Sequence, residues 1–96
     1  MKIGFIGLGN MARAIIGGMT MNGGFSSEDI CGADVLQTVA DDAALTHFIS
    51  AGTNNSTVAK VADVLILAVK PQFMDSALRT IKDEVKKDCI IITIAP

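Results

Sequence analysis

Residues 7–12, Gly7-Leu8-Gly9-Asn10-Met11-Ala12, have the form G-x-G-x-x-A and separate two stretches of different period. Before them, Ile3, Phe5 and Ile6 make a short apolar run. After them, Met11, Ile15 and Met19 recur every four residues, which predicts a helix with these three on its apolar side. A glycine turn between a buried strand and a helix is the context that a dinucleotide fingerprint requires. Gly7 permits the tight turn, and Gly9 lets the backbone approach a pyrophosphate with no Cβ in the way. Ala12, small like the usual third glycine, lets the helix lie close to the strand. The N–H groups at the helix start, with the positive end of its dipole, then face the phosphates. The pair Gly17-Gly18 would cost a free helix about 1–2 kcal/mol against alanines, and is expected to allow close packing against the sheet.

The chain beyond this turn alternates strand and helix. Ile30–Ala33 reads as a second strand with Asp34 at its C-terminal end, followed by a helix over 35–46 and a short strand over 47–51. Thr53, Asn54, Asn55 and Ser56 supply loop and N-cap residues for a brief helix through Val58, Val61 and Ala62. Residues 64–69, VLILAV, form the continuous apolar run of a strand buried on both faces, and Lys70-Pro71-Gln72 breaks it. Met74, Leu78, Ile81 and Val85 mark an amphipathic helix, and residues 90–94 a fifth strand. This order predicts one Rossmann-type α/β domain over residues 1–96. It is a doubly wound parallel sheet in three α/β/α layers, with strand order 3-2-1-4-5.

Composition narrows the function classes. With a net charge of −2, four Phe as the only aromatics and no Trp or Tyr, the chain lacks both the basic surface and the stacking platforms of nucleic-acid binders. Lys82, Lys86 and Lys87 instead suit the C-terminal end of the amphipathic helix. The chain opens directly into a strand, and its apolar runs are too short to span a bilayer. It therefore reads as cytoplasmic, with no signal peptide and no membrane contact. Cys31 and Cys89 have no metal-ligand spacing and fall in the second and fifth strands, as buried, reduced thiols. Three strand spacings, roughly 14 Å, would separate them, beyond the reach of a disulfide. His47, the one histidine, reads as structural beside Phe48. No nucleophile–base pair is evident, so no catalytic residue is assigned.

In such a sheet, ligands bind at the C-terminal strand ends, near the reversal between strands 1 and 4. Residues 7–11, Ala33-Asp34, Asn54-Asn55, residues 68–72 and Ala95 converge there. The Asp34 carboxylate either accepts from the adenosine ribose hydroxyls or caps the next helix, and the two roles are compatible. Asn55 is either an N-cap, in competition with Asn54, or a crevice residue. Lys70 either attracts a phosphate or substrate carboxylate, or is a solvated strand-end lysine. Pro71 should make residues 69–72 a rigid ledge under a nicotinamide.

DVLILAVKPQ, with GFIGLGNMARAIIGG at the front, closely resembles the N-terminal domain of pyrroline-5-carboxylate reductase. Members of the β-hydroxyacid and 6-phosphogluconate dehydrogenase families share GLGNM but lack AVKPQ. The resemblance implies reduction of 1-pyrroline-5-carboxylate to proline with NADP or NAD as the cofactor, in a homo-oligomer. It places nucleotide contacts at Ile6, Gly7, Leu8, Gly9, Asn10, Met11, Asp34, Asn55, Ala68, Val69, Lys70, Pro71 and Ala95. It also implies a following all-helical domain, absent from this chain, that forms the dimer and most of the substrate site. Many relatives have Ser, Asn or Arg where this chain has Ala33-Asp34, which bears on the choice between NADPH and NADH. The last motif, usually Ser-x-Ala-Ala-Gly, here reads Thr93-Ile94-Ala95-Pro96. The alternatives are another imine or β-hydroxyacid dehydrogenase, or a nucleotide-sensing module without catalysis.

Overall fold

Every residue of β1 (Ile3–Ile6) is buried, because the strand has neighbours on both edges and helices on both faces. In a computed structural model, which describes residues 1–94, β1 pairs in parallel with β2 (Ile30–Ala33) and β4 (Val64–Leu67). β3 (Ser50–Gly52) lies outside β2, and β5 (Ile90–Thr93) outside β4. The order β3-β2-β1-β4-β5 is all parallel, as the alternation of strand and helix predicts. The connections are α1 (Asn10–Met21), α2 (Gln37–His47), α3 (Asn55–Val61) and α4 (Met74–Ile81).

Alternating side chains of the central strands divide the interior into two cores. Ile3, Phe5 and Ile66 meet Ala12 and Ile16 of α1 and Ala40 and Ala43 of α2 on one face. Ile6, Leu65 and Leu67 meet Val58 and Ala59 of α3 and Ala77 and Ile81 of α4 on the other. The sheet is therefore covered on both faces at its centre. β5 departs from that expectation: Ile90, Ile91 and Ile92 are 61%, 44% and 43% exposed. This strand has a paired neighbour only at β4, and among the described residues no helix follows it.

Several element limits differ from the sequence reading. The strand expected over 47–51 begins at Ser50, because His47 is the last residue of α2 and Phe48 closes that helix. Phe48 does so at φ 59°, its N–H donating to the Ala44 carbonyl. Helix α2 starts at Gln37 behind an N-cap at Leu36, not directly after Asp34. The ladder of β4 ends at Leu67, two residues before the apolar run does. Helix α4 ends at Ile81, so Lys86 and Lys87 lie past it, and Lys86 pairs with Asp63 instead. Val85 still reaches the second core through a turn onto the Ile81 carbonyl.

Three further expectations fail at the residue level. The face of α1 that enters the core is centred on Ala12 and Ile16, with Ile15 and Met19 partly buried and Met11 40% exposed. Gly17 faces the His47 ring and Gly18 is exposed with open space around it, so neither glycine serves packing against the sheet. Cys89 stands just before β5 rather than in it, and both cysteines are half-buried free thiols. β2 and β5 are separated by β1 and β4, which keeps the two sulfurs apart.

Candidate functional site

The strand-to-helix turn takes its shape from what Gly7 and Leu8 meet. Gly7 adopts φ 96°, where an L side chain is strained, and a Cβ there would run into the Ala68 carbonyl. Its N–H donates to the Ala33 carbonyl at 2.8 Å, which ties the end of β1 to the end of β2. The Leu8 side chain is fully buried and packs over Gly32, where a Cβ would lie only 2.6 Å from Leu8 Cδ2. The missing side chain of Gly32 thus makes the seat on which the turn rests.

Gly9 then serves as N-cap of α1 in extended conformation, and nothing lies within 4 Å of where its Cβ would be. The first intrahelical bond is Arg13 N–H to the Gly9 carbonyl, so the N–H groups of Asn10, Met11 and Ala12 precede it. No side chain caps them, and the first turn of α1 has no acidic residue. The positive end of the helix is left unneutralised beside open space, an arrangement suited to an anion. That open space at Gly9, reached through the positive-φ turn at Gly7, is the cradle a pyrophosphate needs.

This turn opens onto a crevice of about 540 Å³ at the C-terminal ends of β1, β2 and β4. Of the residues expected at a nucleotide site, Ile6, Gly7, Gly9, Asn10, Met11 and Asp34 line it. Asn55, Ala68, Val69 and Lys70 line it as well. Leu8 does not, because its side chain is in the core and its N–H is already bonded. Pro71 opens a 3-10 turn, Pro71–Phe73, behind an N-cap at Lys70, and lies outside the lining. Ala95 lies outside the described residues. Val35, Leu36, Phe73, Ser76 and Thr80 also line the crevice, although none of them was expected at the site. Phe73 alone carried a signal, as an apolar residue just past the strand break.

Asp34 has more partners than a helix cap would. Its Oδ2 accepts the Leu8 N–H at 2.9 Å and its Oδ1 accepts the Leu36 N–H at 3.0 Å. The carboxylate therefore braces the glycine turn against the start of the β2–α2 connection. Asn54, not Asn55, caps α3, accepting from Ser56 and Thr57. Asn55 is left to donate its Nδ2 to Thr80 Oγ1 at 3.0 Å, while the Thr80 hydroxyl donates to the Ala77 carbonyl at 2.6 Å. Since that hydroxyl proton is used, Thr80 can only accept from Asn55, which fixes the orientation of the amide. The Asn55 carbonyl oxygen remains for the crevice. Lys70 is the one cation among the described residues lining it, and forms no ion pair with another described residue.

A second cavity, about 520 Å³, lies over β2 and β3 beside α3 and includes Cys31. Burial pushes the Cys31 thiol above its ordinary range, with Lys2 opposing, so this thiol stays protonated near neutrality. The described residues hold no cluster of groups suited to a metal ion, and no helix long and apolar enough to cross a membrane.

Sheet order, glycine turn and crevice define a Rossmann-type domain of the doubly wound class. The chain belongs to the family described as NADP oxidoreductase, coenzyme F420-dependent, whose model matches residues 2–96. Pyrroline-5-carboxylate reductase of Methanosarcina acetivorans is 37% identical to it over 94 residues, covering 98% of this chain and 35% of that protein. The Escherichia coli enzyme of the same name is 37% identical over 97 residues, with the same two coverages. A solved structure of a pyrroline-5-carboxylate reductase from Coxiella burnetii matches with a TM-score of 0.91 at 32% identity. It covers 98% of this chain and 35% of that one. The chain thus spans about a third of the length of the curated relatives it matches.

Proposed function

We propose that this chain is the cofactor-binding part of a reductase that converts 1-pyrroline-5-carboxylate to L-proline with NADPH or NADH. The observation that carries the activity is 37% identity to two pyrroline-5-carboxylate reductases along 98% of the chain. The crevice supports the division of labour. The N–H groups at the start of α1 bind the pyrophosphate, Asp34 and the Asn55 carbonyl oxygen accept from ribose hydroxyls, and Lys70 attracts a phosphate or the substrate carboxylate. Val69 and Phe73 give the site an apolar wall. When bound, the dinucleotide supplies the hydride that reduces the C=N carbon. The chain's own task is to hold the nicotinamide against the imine.

The imino-acid site and the dimer contacts belong, on this reading, to a further helical domain of the kind that the longer relatives have room for. The test is titration and turnover with residues 1–96. Reduced dinucleotide should bind, and 1-pyrroline-5-carboxylate should not be consumed. Turnover by this chain alone would place the substrate site here and change the role given to Lys70. Supplying the full-length protein should restore turnover. A full-length protein inactive on 1-pyrroline-5-carboxylate while binding nucleotide would overturn the substrate but not the crevice.

A further inference from the structure

Residues 14–59 contain no lysine and no arginine, but do contain Glu28, Asp29, Asp34, Asp41 and Asp42. That span includes β2, α2 and β3, the half of the sheet on the far side of β1 from Lys70. Arg13, the one basic residue of α1, is engaged in an ion pair with Asp42. Lys70 follows β4, two strand spacings or roughly 10 Å from the end of β2. The β2 end of the crevice therefore has a carboxylate and no cation.

That carboxylate is also held in place. Its two oxygens accept from the backbone N–H groups of Leu8 and Leu36, on opposite sides of it. Each oxygen retains a further lone-pair direction, so Asp34 still accepts hydrogen bonds and has none to give. A hydroxyl, which donates, satisfies it. A phosphate, which brings negative charge and acceptors only, does not. Swinging Asp34 away would break both backbone bonds and loosen the glycine turn.

We propose that the crevice selects NAD(H), with a free 2′-hydroxyl on the adenosine ribose, over 2′-phosphorylated NADP(H), and that Asp34 is the specificity-determining residue. The proposal rests on the crevice being the nucleotide site, and departs from the cofactor in the family's description. It also makes the same residue a brace of the phosphate turn and a bar to the extra phosphate.

The test is calorimetric titration of the chain with NADH and NADPH separately, at low and high ionic strength. NADH should bind about tenfold more tightly or better at low salt, and added salt should narrow the gap by screening Asp34. Asp34→Ser should improve NADPH and weaken NADH. Because that variant also loosens the turn, Asp34→Asn is the second arm. It removes the charge but keeps an oxygen for one of the two backbone bonds, and the ratio should again move toward NADPH. Wild-type affinity for NADPH equal to or above that for NADH would overturn the preference. A preference unchanged by salt and by both substitutions would overturn Asp34 as its source. Binding of neither nucleotide would overturn the crevice reading itself, and this inference with it.

Discussion

Gly7 has φ 96° and Gly9 has φ −74°, so substitutions at the two motif glycines should fail in different ways. Gly7→Ala forces an L residue into a conformation costing about 1–2 kcal/mol and presses its Cβ on the Ala68 carbonyl. A thermal melt should fall by about 10 °C in a domain of this size. Gly9→Val meets open space in the protein, losing about 1 kcal/mol at the N-cap, but occupies the phosphate position. It should melt only about 4–8 °C below the wild type and, still folded, no longer bind dinucleotide by calorimetry. Retained affinity in a folded Gly9→Val variant would reduce the motif to a structural turn. Both glycines were legible in the sequence because a turn is a local matter. The partners of Asp34 were not, since the bond to Leu8 spans 26 residues and depends on how β1 and β2 align.

At the scale of elements, α1 shows where a periodic pattern misleads. Residues spaced four apart advance about 40° past a full turn at each step, so Met11, Ile15 and Met19 spiral around the helix. The buried face follows Ala12, Ile15, Ile16 and Met19, the i, i+3, i+4, i+7 pattern, and small Ala12 gave little hydrophobic signal. Ile16→Ala should therefore cost about 2–5 kcal/mol in chemical denaturation, and Met11→Ala within about 0.5 kcal/mol of nothing. Equal losses at both positions would contradict this orientation of α1. The limits of β2 were readable because apolar residues end abruptly at Asp34; those of β3 were not, since Ser50, Ala51 and Gly52 have weak strand preference. The contact between α3 and α4 yields a further expectation. Thr80→Val removes the acceptor that orients Asn55 and should weaken dinucleotide binding a few-fold, while Thr80→Ser keeps it and should not. Equal affinity in the two variants would show that Asn55 needs no such support.

In the whole molecule, the strand order followed from the alternation of elements, while the uneven cover over the sheet did not, because a sequence pattern marks a strand as apolar without saying which layers reach it. Ile90, Ile91 and Ile92 look like core residues and are exposed at the sheet edge. Besides the β4–β5 ladder, Asp63, just before β4, ties that edge to the centre. Its carboxylate accepts the Lys2 N–H at 2.8 Å and the Lys86 ammonium at 3.0 Å, and its backbone joins Lys2 on one side and Ile90 on the other. One residue thus links the starts of β1, β4 and β5. The backbone bond from Lys2, foremost, and the Lys86 ammonium hold the Asp63 carboxyl below its ordinary range. A carboxyl with a depressed folded-state pKa adds stability that is complete above its unfolded value, about 3.9. That stability is lost as the pH falls through the lower folded value. Asp63→Asn lacks the charge at every pH. The wild type should therefore melt above this variant at pH 6–7, and the gap should close as the pH falls below about 4. The group is solvent-exposed, so the gap should also shrink with added salt. A difference in melting temperature that stays constant from neutral pH into acid would mean that shape alone, not charge, matters at Asp63.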